Sequence, residues 1–316
     1  MIRSIAIFAA LACLAACGAP HQSVTHKSEV FPQRWNSGVA KDEPIFQVQA
    51  IDKNTFAIRQ SINSTFEAPF LYLIFGREKA LLLDTGVEGA PLRAEIDRLI
   101  DAWLAASDHK IISLVVMHSH AHSDHVGGDK SFADRHRTVV VGHSPMDVAS
   151  FFAIKNWPVE TVAFDLGGRI VDILPTPGHH PSHVMVFDRT NHILFSGDAI
   201  YPGRLYFQCG RADEYRASID RVADFAAKQQ VRWLLGAHIE MKSAPGQSFQ
   251  AEDRVRRDEH LLELSPKVVE DIRQALSKMG KQVRVQTHDD FILFPHPADP
   301  RGKSPPDWCL SEGASR

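Results

Sequence analysis

Met117-His118-Ser119-His120-Ala121-His122-Ser123-Asp124-His125-Val126-Gly127-Gly128 crowds histidine and aspartate directly behind the apolar run Ile111-Ile112-Ser113-Leu114-Val115-Val116-Met117. A short β-branched run of that kind is expected of a strand buried on both faces. The histidines therefore sit where a sheet hands its chain to a loop. Two histidines at i and i+2 on extended backbone point to one side and can grip a single metal ion. Past a turn, Asp124 and His125 can face a second ion, and Gly127-Gly128 permits the close approach needed to start a helix. Imidazole nitrogen with carboxylate oxygen suits zinc, and equally iron or manganese.

Outward from this stretch the pattern alternates between short apolar runs and amphipathic ones. Strands are expected at residues 45–51, 55–60, 70–75 and 79–83 before the histidines, and at 138–141, 169–174, 184–187, 192–195 and 232–235 after them. Residues 91–106 carry Leu92, Ile96, Leu99, Ile100 and Trp103 at helical spacing, and 213–228 carry Tyr215, Ile219, Val222 and Ala226. The tail predicts a helix over 251–264, then a restart with Ser265 as cap, Pro266 at the first position and Gly280 past the end. Residues 282–286 and 290–294 read as a closing strand pair. This order predicts an α/β domain of layered mixed sheets.

The site stretch resembles the H-x-H-x-D-H motif of the metallo-β-lactamase superfamily, as His120-Ala121-His122-Ser123-Asp124-His125. Further landmarks resemble the family's in the same order: Leu83-Asp84-Thr85-Gly86, Thr176-Pro177-Gly178-His179, Phe195-Ser196-Gly197-Asp198 and Gly236-Ala237-His238. The resemblance implies an αββα sandwich of two mixed β-sheets flanked by helices. It implies one divalent metal, most often zinc, on His120, His122 and His179, and a second on Asp124, His125 and His238. Asp198 would bridge the two, and Asp84 would orient a ligand imidazole. His118 offers a competing register, but one that leaves no Asp-His pair in place, so it is expected to be structural or to support a ligand from behind. His180 and His183 are expected to pack or to line the pocket.

Two dications sharing a hydroxide lower its pKa and supply a nucleophile, so the implied reaction is hydrolysis. Asp124 could orient that hydroxide or pass a proton to the leaving group. Tyr201 resembles the tyrosine that homoserine-lactone hydrolases of this superfamily aim at the carbonyl oxygen, and simple packing is its other reading. Asp198 separates the chain from dizinc β-lactamases, which carry cysteine or serine there. The aspartate is shared by lactonases, glyoxalase-like thioesterases and phosphodiesterases. A small ester or lactone leads as substrate. Periplasmic β-lactam hydrolysis, phosphodiester hydrolysis and a metal-binding envelope protein without turnover are the alternatives.

The first 16 residues read as a signal: Arg3, an apolar run from Ile5 to Ala12, and an ending, Leu14-Ala15-Ala16-Cys17, that resembles a bacterial lipobox. The expected mature chain is a periplasm-facing lipoprotein, anchored to the membrane by lipid on Cys17, with Gly18 leaning toward the outer membrane. Residues 17–41 form a polar tether, 42–240 the catalytic domain and 241–316 an extension packed on it. Of the four cysteines, Cys209 and Cys309 would be free to pair. A net charge of -3 argues against nucleic acid as a partner, since its binders normally carry a basic face, and for a small-molecule substrate. With 44% hydrophobic residues in 316, the chain can hold a core without disulfide staples.

Overall fold

A computed structural model describes residues 27–251 and 253–296. The signal, Cys17, residues 17–26 of the proposed tether and Cys309 lie outside the described residues. Two six-stranded sheets face each other. The first runs in the order β1 (Phe46–Asp52), β2 (Thr55–Gln60), β3 (Phe70–Phe75), β4 (Lys79–Leu83), β5 (Ser113–Met117) and β6 (Thr138–Val140), antiparallel up to β4 and parallel from β4 onward. The helix α1 (Leu92–Ala105) connects β4 to β5; the short α2 (Ser123–Val126) follows β5, and α3 (Pro145–Phe152) follows β6.

The second sheet contains β7 (Val162–Asp165), β8 (Ile170–Pro175), β9 (Val184–Asp188) and β10 (Ile193–Gly197). The chain then makes β11 (Arg204–Gln208) and α4 (Ala212–Gln229) before returning with β12 (Trp233–Gly236), which lies parallel to β10. The short β13 (Glu263–Leu264) closes the sheet order 13-12-10-9-8-7. After α5 (Lys267–Met279), β14 (Gln286–Thr287) and β15 (Ile292–His296) join β11 in a third, three-stranded sheet.

Strand periodicity builds the layers. Phe70, Tyr72 and Ile74 of β3 face the space between the sheets, where they meet Val184, Val186 and Phe195. Leu71, Leu73 and Phe75 face the other way, onto Leu92, Ile96, Leu99 and Ile100 of α1. In the second sheet, Met185, Phe187 and Leu194 turn outward onto α4 and α5. Each strand so placed is buried on both faces, which explains the near-continuous apolar runs. Full burial of one such Leu, Ile or Phe contributes about 1.5–3 kcal/mol.

Residues 253–264 do not form the expected helix. Their charged side chains are drawn out to separate tertiary partners instead of one solvated face. Arg256 donates to the carbonyls of Ile239 and Phe66, and Glu259 forms a bidentate pair with buried Arg59 at 2.6 Å. Glu263 and Leu264 then pair with β12. The following helix begins one residue later than expected, at Lys267 with Pro266 as its N-cap, while Ser265 Oγ still accepts from the Lys267 amide at 3.2 Å. The closing strand pair forms, with β14 cut to two residues and β15 shifted two residues onward from the expected span, and β15 also lies parallel to β11.

Candidate metal centre

Every candidate ligand lies just past a strand end on one edge of the sandwich. Asp84 follows β4, the histidine loop follows β5, His179 follows β8, Asp198 follows β10 and His238 follows β12. The two sheets are stitched together there: the Phe70 amide donates to the Ala237 carbonyl at 2.8 Å, and the Tyr72 hydroxyl to the Gly236 carbonyl at 2.5 Å. Gly197 takes a left-handed φ of 52°, and a Cβ there would stand 2.7 Å from His183 Nε2 and 2.9 Å from Ser119 Cβ. Only glycine lets the strand turn Asp198 into the site at that approach.

The side chains divide into two groups whose donor atoms converge. Nε2 of His120 is 2.8 Å from Nδ1 of His122, and Nε2 of His179 is 3.1 Å from each. Oδ2 of Asp198 faces this group, 3.6 Å from His179 and 3.9 Å from His120. Oδ1 of the same carboxylate faces the second group, 3.4 Å from Nε2 of both His125 and His238. Oδ2 of Asp124 stands 3.3 Å from the same two nitrogens. The structure thus brings together all seven residues that the resemblance assigned to metal, with Asp198 turned to both groups.

Two features fit this donor set to metal ions. Nε2 of His125 and Oδ1 of Asp198 are buried without a hydrogen-bond partner, a costly state that a cation between them would relieve. In addition, the outer nitrogens are held by oxygen: His125 Nδ1 by Asp84 at 2.9 Å, His179 Nδ1 by the Tyr206 carbonyl at 2.7 Å, and His238 Nδ1 by the Glu67 carbonyl at 2.8 Å. Such bonds set the tautomer and aim the inner lone pairs inward.

The electrostatics of the two groups differ. Burial and the neighbouring imidazoles hold His120 well below the ordinary histidine range, and burial is the main cause that brings His179 to about 4. Burial would also depress His238, but the carboxylates of Asp198 and Asp124 outweigh it and push that group up to about 10. His125 is raised well above its usual value in the same way, against burial, by Asp124, Asp198 and Asp84.

A cavity of about 330 Å³ opens onto Asp124, Asp198 and His238. Its walls include Phe66 from the β2–β3 loop, Tyr206 from β11, Glu240 shortly after β12, and Phe249 and Arg256 from the extension. None of these wall residues was singled out in the sequence. They belong to no motif, and the fold alone brings them to the site. Tyr201 also lines the cavity, but its ring is buried and its hydroxyl donates to the Arg204 carbonyl. His183 is buried too: its Nε2 accepts from the Asp198 amide at 3.2 Å, and its Nδ1 lies 2.8 Å from Thr176 Oγ1. It therefore supports the bridging aspartate from behind. Half-buried His180 stands beside His122, the ring centres 5.0 Å apart.

Fold and site together define a class, and comparison with known proteins agrees: the chain belongs to the metallo-beta-lactamase superfamily, whose sequence profile matches residues 65–229. It is 29% identical over 170 residues to a hydroxyacylglutathione hydrolase of Ruegeria pomeroyi, covering 49% of this chain and 57% of that protein. It is 24% identical over 226 residues to an acyl-coenzyme A thioesterase of Bos taurus, covering 60% of this chain and 80% of that one. The chain thus spans little more than half the length of the first of these relatives. A metallo-beta-lactamase from Pontibacter korlensis shares the fold at 17% identity with a TM-score of 0.50, covering 73% of this chain and 99% of that one.

Proposed function

We propose that this chain is a dinuclear metal-dependent hydrolase acting on a small carbonyl substrate, an ester or lactone first. The observation that carries the reading is the shared carboxylate of Asp198, one oxygen facing each of two converging ligand groups, at the floor of a cavity. His120, His122 and His179 would hold one ion and Asp124, His125 and His238 the other, zinc, iron and manganese all suiting the donors. Bound ions would acidify water and polarise a carbonyl.

The protein's own part is to place and exclude. Asp124, at the cavity floor, is positioned to orient the attacking water or carry a proton to the leaving group. Phe66, Phe249 and Tyr206 offer apolar faces to the acyl or leaving group. The guanidinium of Arg256 is occupied by the carbonyls of Ile239, Phe66 and Asp253, so it braces the wall. Thioesters form the second reading, supported by relatives named as a thioesterase and a hydroxyacylglutathione hydrolase. The location we propose remains the bacterial envelope, through a lipid on Cys17; its support is the sequence of residues 1–17 alone.

The test compares initial rates on a lactone, an aryl ester, a thioester, a cephalosporin and a phosphodiester, each with and without chelator. Chelator-sensitive turnover of the lactone or aryl ester is expected. Turnover confined to the cephalosporin or phosphodiester would overturn the substrate reading. Loss of rate and of bound metal in His120→Ala and Asp124→Ala checks the ligand assignment.

A further inference from the structure

A third cluster lies outside the cavity lining, behind the histidine loop. The Asp129 carboxylate receives Thr85 Oγ1 at 2.8 Å and His118 Nε2 at 2.8 Å on one oxygen, and His143 Nε2 at 2.6 Å on the other. The three donors come from the turn after β4, the end of β5 and the loop before α3. Two histidines and an aspartate also make a metal-type donor set. The pairing argues otherwise. Around Asp129 every close contact joins an imidazole nitrogen or a hydroxyl to a carboxylate oxygen at hydrogen-bond length, with the two imidazoles on different oxygens, whereas in the first ligand group three imidazole nitrogens converge on one another.

What this knot holds is next to the second ligand group. Thr85, fixed by Asp129, donates its amide to the His125 carbonyl at 2.7 Å, and its hydroxyl accepts from the Gly128 amide at 3.2 Å. Its neighbour Asp84 accepts from His125 Nδ1 at 2.9 Å. His118, on the same carboxylate oxygen, stands two residues before His120. Gly128 sits so close to Thr85 that a Cβ there would meet the Thr85 carbonyl at 2.4 Å.

We infer that Asp129 is a positioning residue for the second ion's site: through Thr85 it locks the turn that presents Asp84 to His125 and holds the His125 backbone. This role rests on the two-ion reading above. Asp129 touches no candidate ligand itself; its contacts run through Thr85 and Asp84 to His125, so its larger effect should fall on the second site.

The experiment titrates the metal-free chain with zinc against a chromogenic chelator and repeats it with cobalt(II) to read the absorption of the second equivalent. Wild type, Asp129→Ala, Asp129→Asn and Thr85→Val are compared. In Asp129→Ala the second affinity should fall by about 10–100-fold while the first stays within about twofold. Asp129→Asn, which keeps one acceptor oxygen, should recover part of the loss. Thr85→Val is nearly isosteric, removes only the link, and should show the same one-sided defect even if Asp129→Ala folds poorly. Two affinities unchanged in Asp129→Ala and Thr85→Val would overturn the role, as would both affinities falling together with the melting temperature of the metal-free chain. A wild-type chain that takes up fewer than two ions would overturn the two-ion reading and this role with it.

Discussion

Asp84 lies directly beneath His125: its Oδ2 accepts from His125 Nδ1 at 2.9 Å and its Oδ1 from the Ser119 amide at 2.6 Å. One carboxylate thus fixes both a ligand ring and the strand end that leads to His120. Its backbone is left-handed, with φ of 69°, a conformation aspartate tolerates better than most residues. Asp84→Asn should weaken binding of the second ion by about 10–100-fold, with hydrolysis restored in part by excess metal. Wild-type affinity in that variant, measured by zinc competition, would show that the pair does not orient the ring.

Proton release should distinguish the two ions. Before metal binds, His238 has its pKa pushed up to about 10 against burial by Asp198 and Asp124, so it is charged at neutral pH. His179, lowered to about 4 chiefly by burial, is neutral. The charged His238 stabilises the metal-free fold fully below about pH 6.5, and that contribution is lost as pH rises through about 10. Metal must displace the same proton, so affinity at the second site rises with pH over that window, while His179 at the first site has no proton to lose above about pH 4. Calorimetry at pH 7 in buffers of different ionisation enthalpy should find proton release for the second ion and almost none for the first. Equal release for both would contradict this asymmetry.

Tyr201 should act on binding more than on turnover. Its hydroxyl is committed to the Arg204 carbonyl, beside the Glu240 carboxylate that also accepts from the Arg204 amide at 2.7 Å. In Tyr201→Phe the turn forming that cavity wall loosens. KM is expected to rise severalfold with kcat within about twofold, the pattern of lost uniform binding. A fall in kcat at constant KM would instead put the phenol against the reacting carbonyl.

Stability should depend heavily on the edge remote from the metal centre. Buried Arg169 donates to both oxygens of buried Asp188 at 3.2 and 2.5 Å, to Thr55 Oγ1 at 2.6 Å, and to the carbonyls of Asn54 and Phe75. Arg169→Met leaves Asp188 a buried charge without its partner and should cost about 3–5 kcal/mol in urea unfolding. Zinc stoichiometry of the folded fraction should not change. A loss under about 1 kcal/mol, the range of surface ion pairs, would mean that Asp188 finds water.

The parts of the fold that were legible were those governed by local pattern. Strands β2, β3 and β4 fall where alternating and continuous apolar runs place them, and α1, α4 and α5 where the stripes do. The helix α3 was missed despite its signals: Ser144 and Asp147 form a capping box with Pro145 at the first turn. The run 251–264 failed in the opposite way, because Arg256, Glu259 and Glu263 have partners far away in the chain. The positions of the ligand-type residues were readable because motif and strand end coincide. The cavity walls were not, since Phe66, Tyr206 and Phe249 meet only through tertiary packing. Cys209 is disulfide-bonded, while Cys309, the expected partner, lies outside the described residues.

The alternation along β3 has a further consequence. Phe70, Tyr72 and Ile74 serve one core while Leu71, Leu73 and Phe75 serve another, so deleting one residue would exchange the occupants of two layers at once. Strand length is thereby frozen on both sides of the molecule. Insertions and deletions can accumulate only in the connecting segments, which on one edge are the segments that carry the histidines and aspartates. A scaffold of this kind concentrates evolutionary freedom at its reactive rim while leaving its interior almost no room to drift.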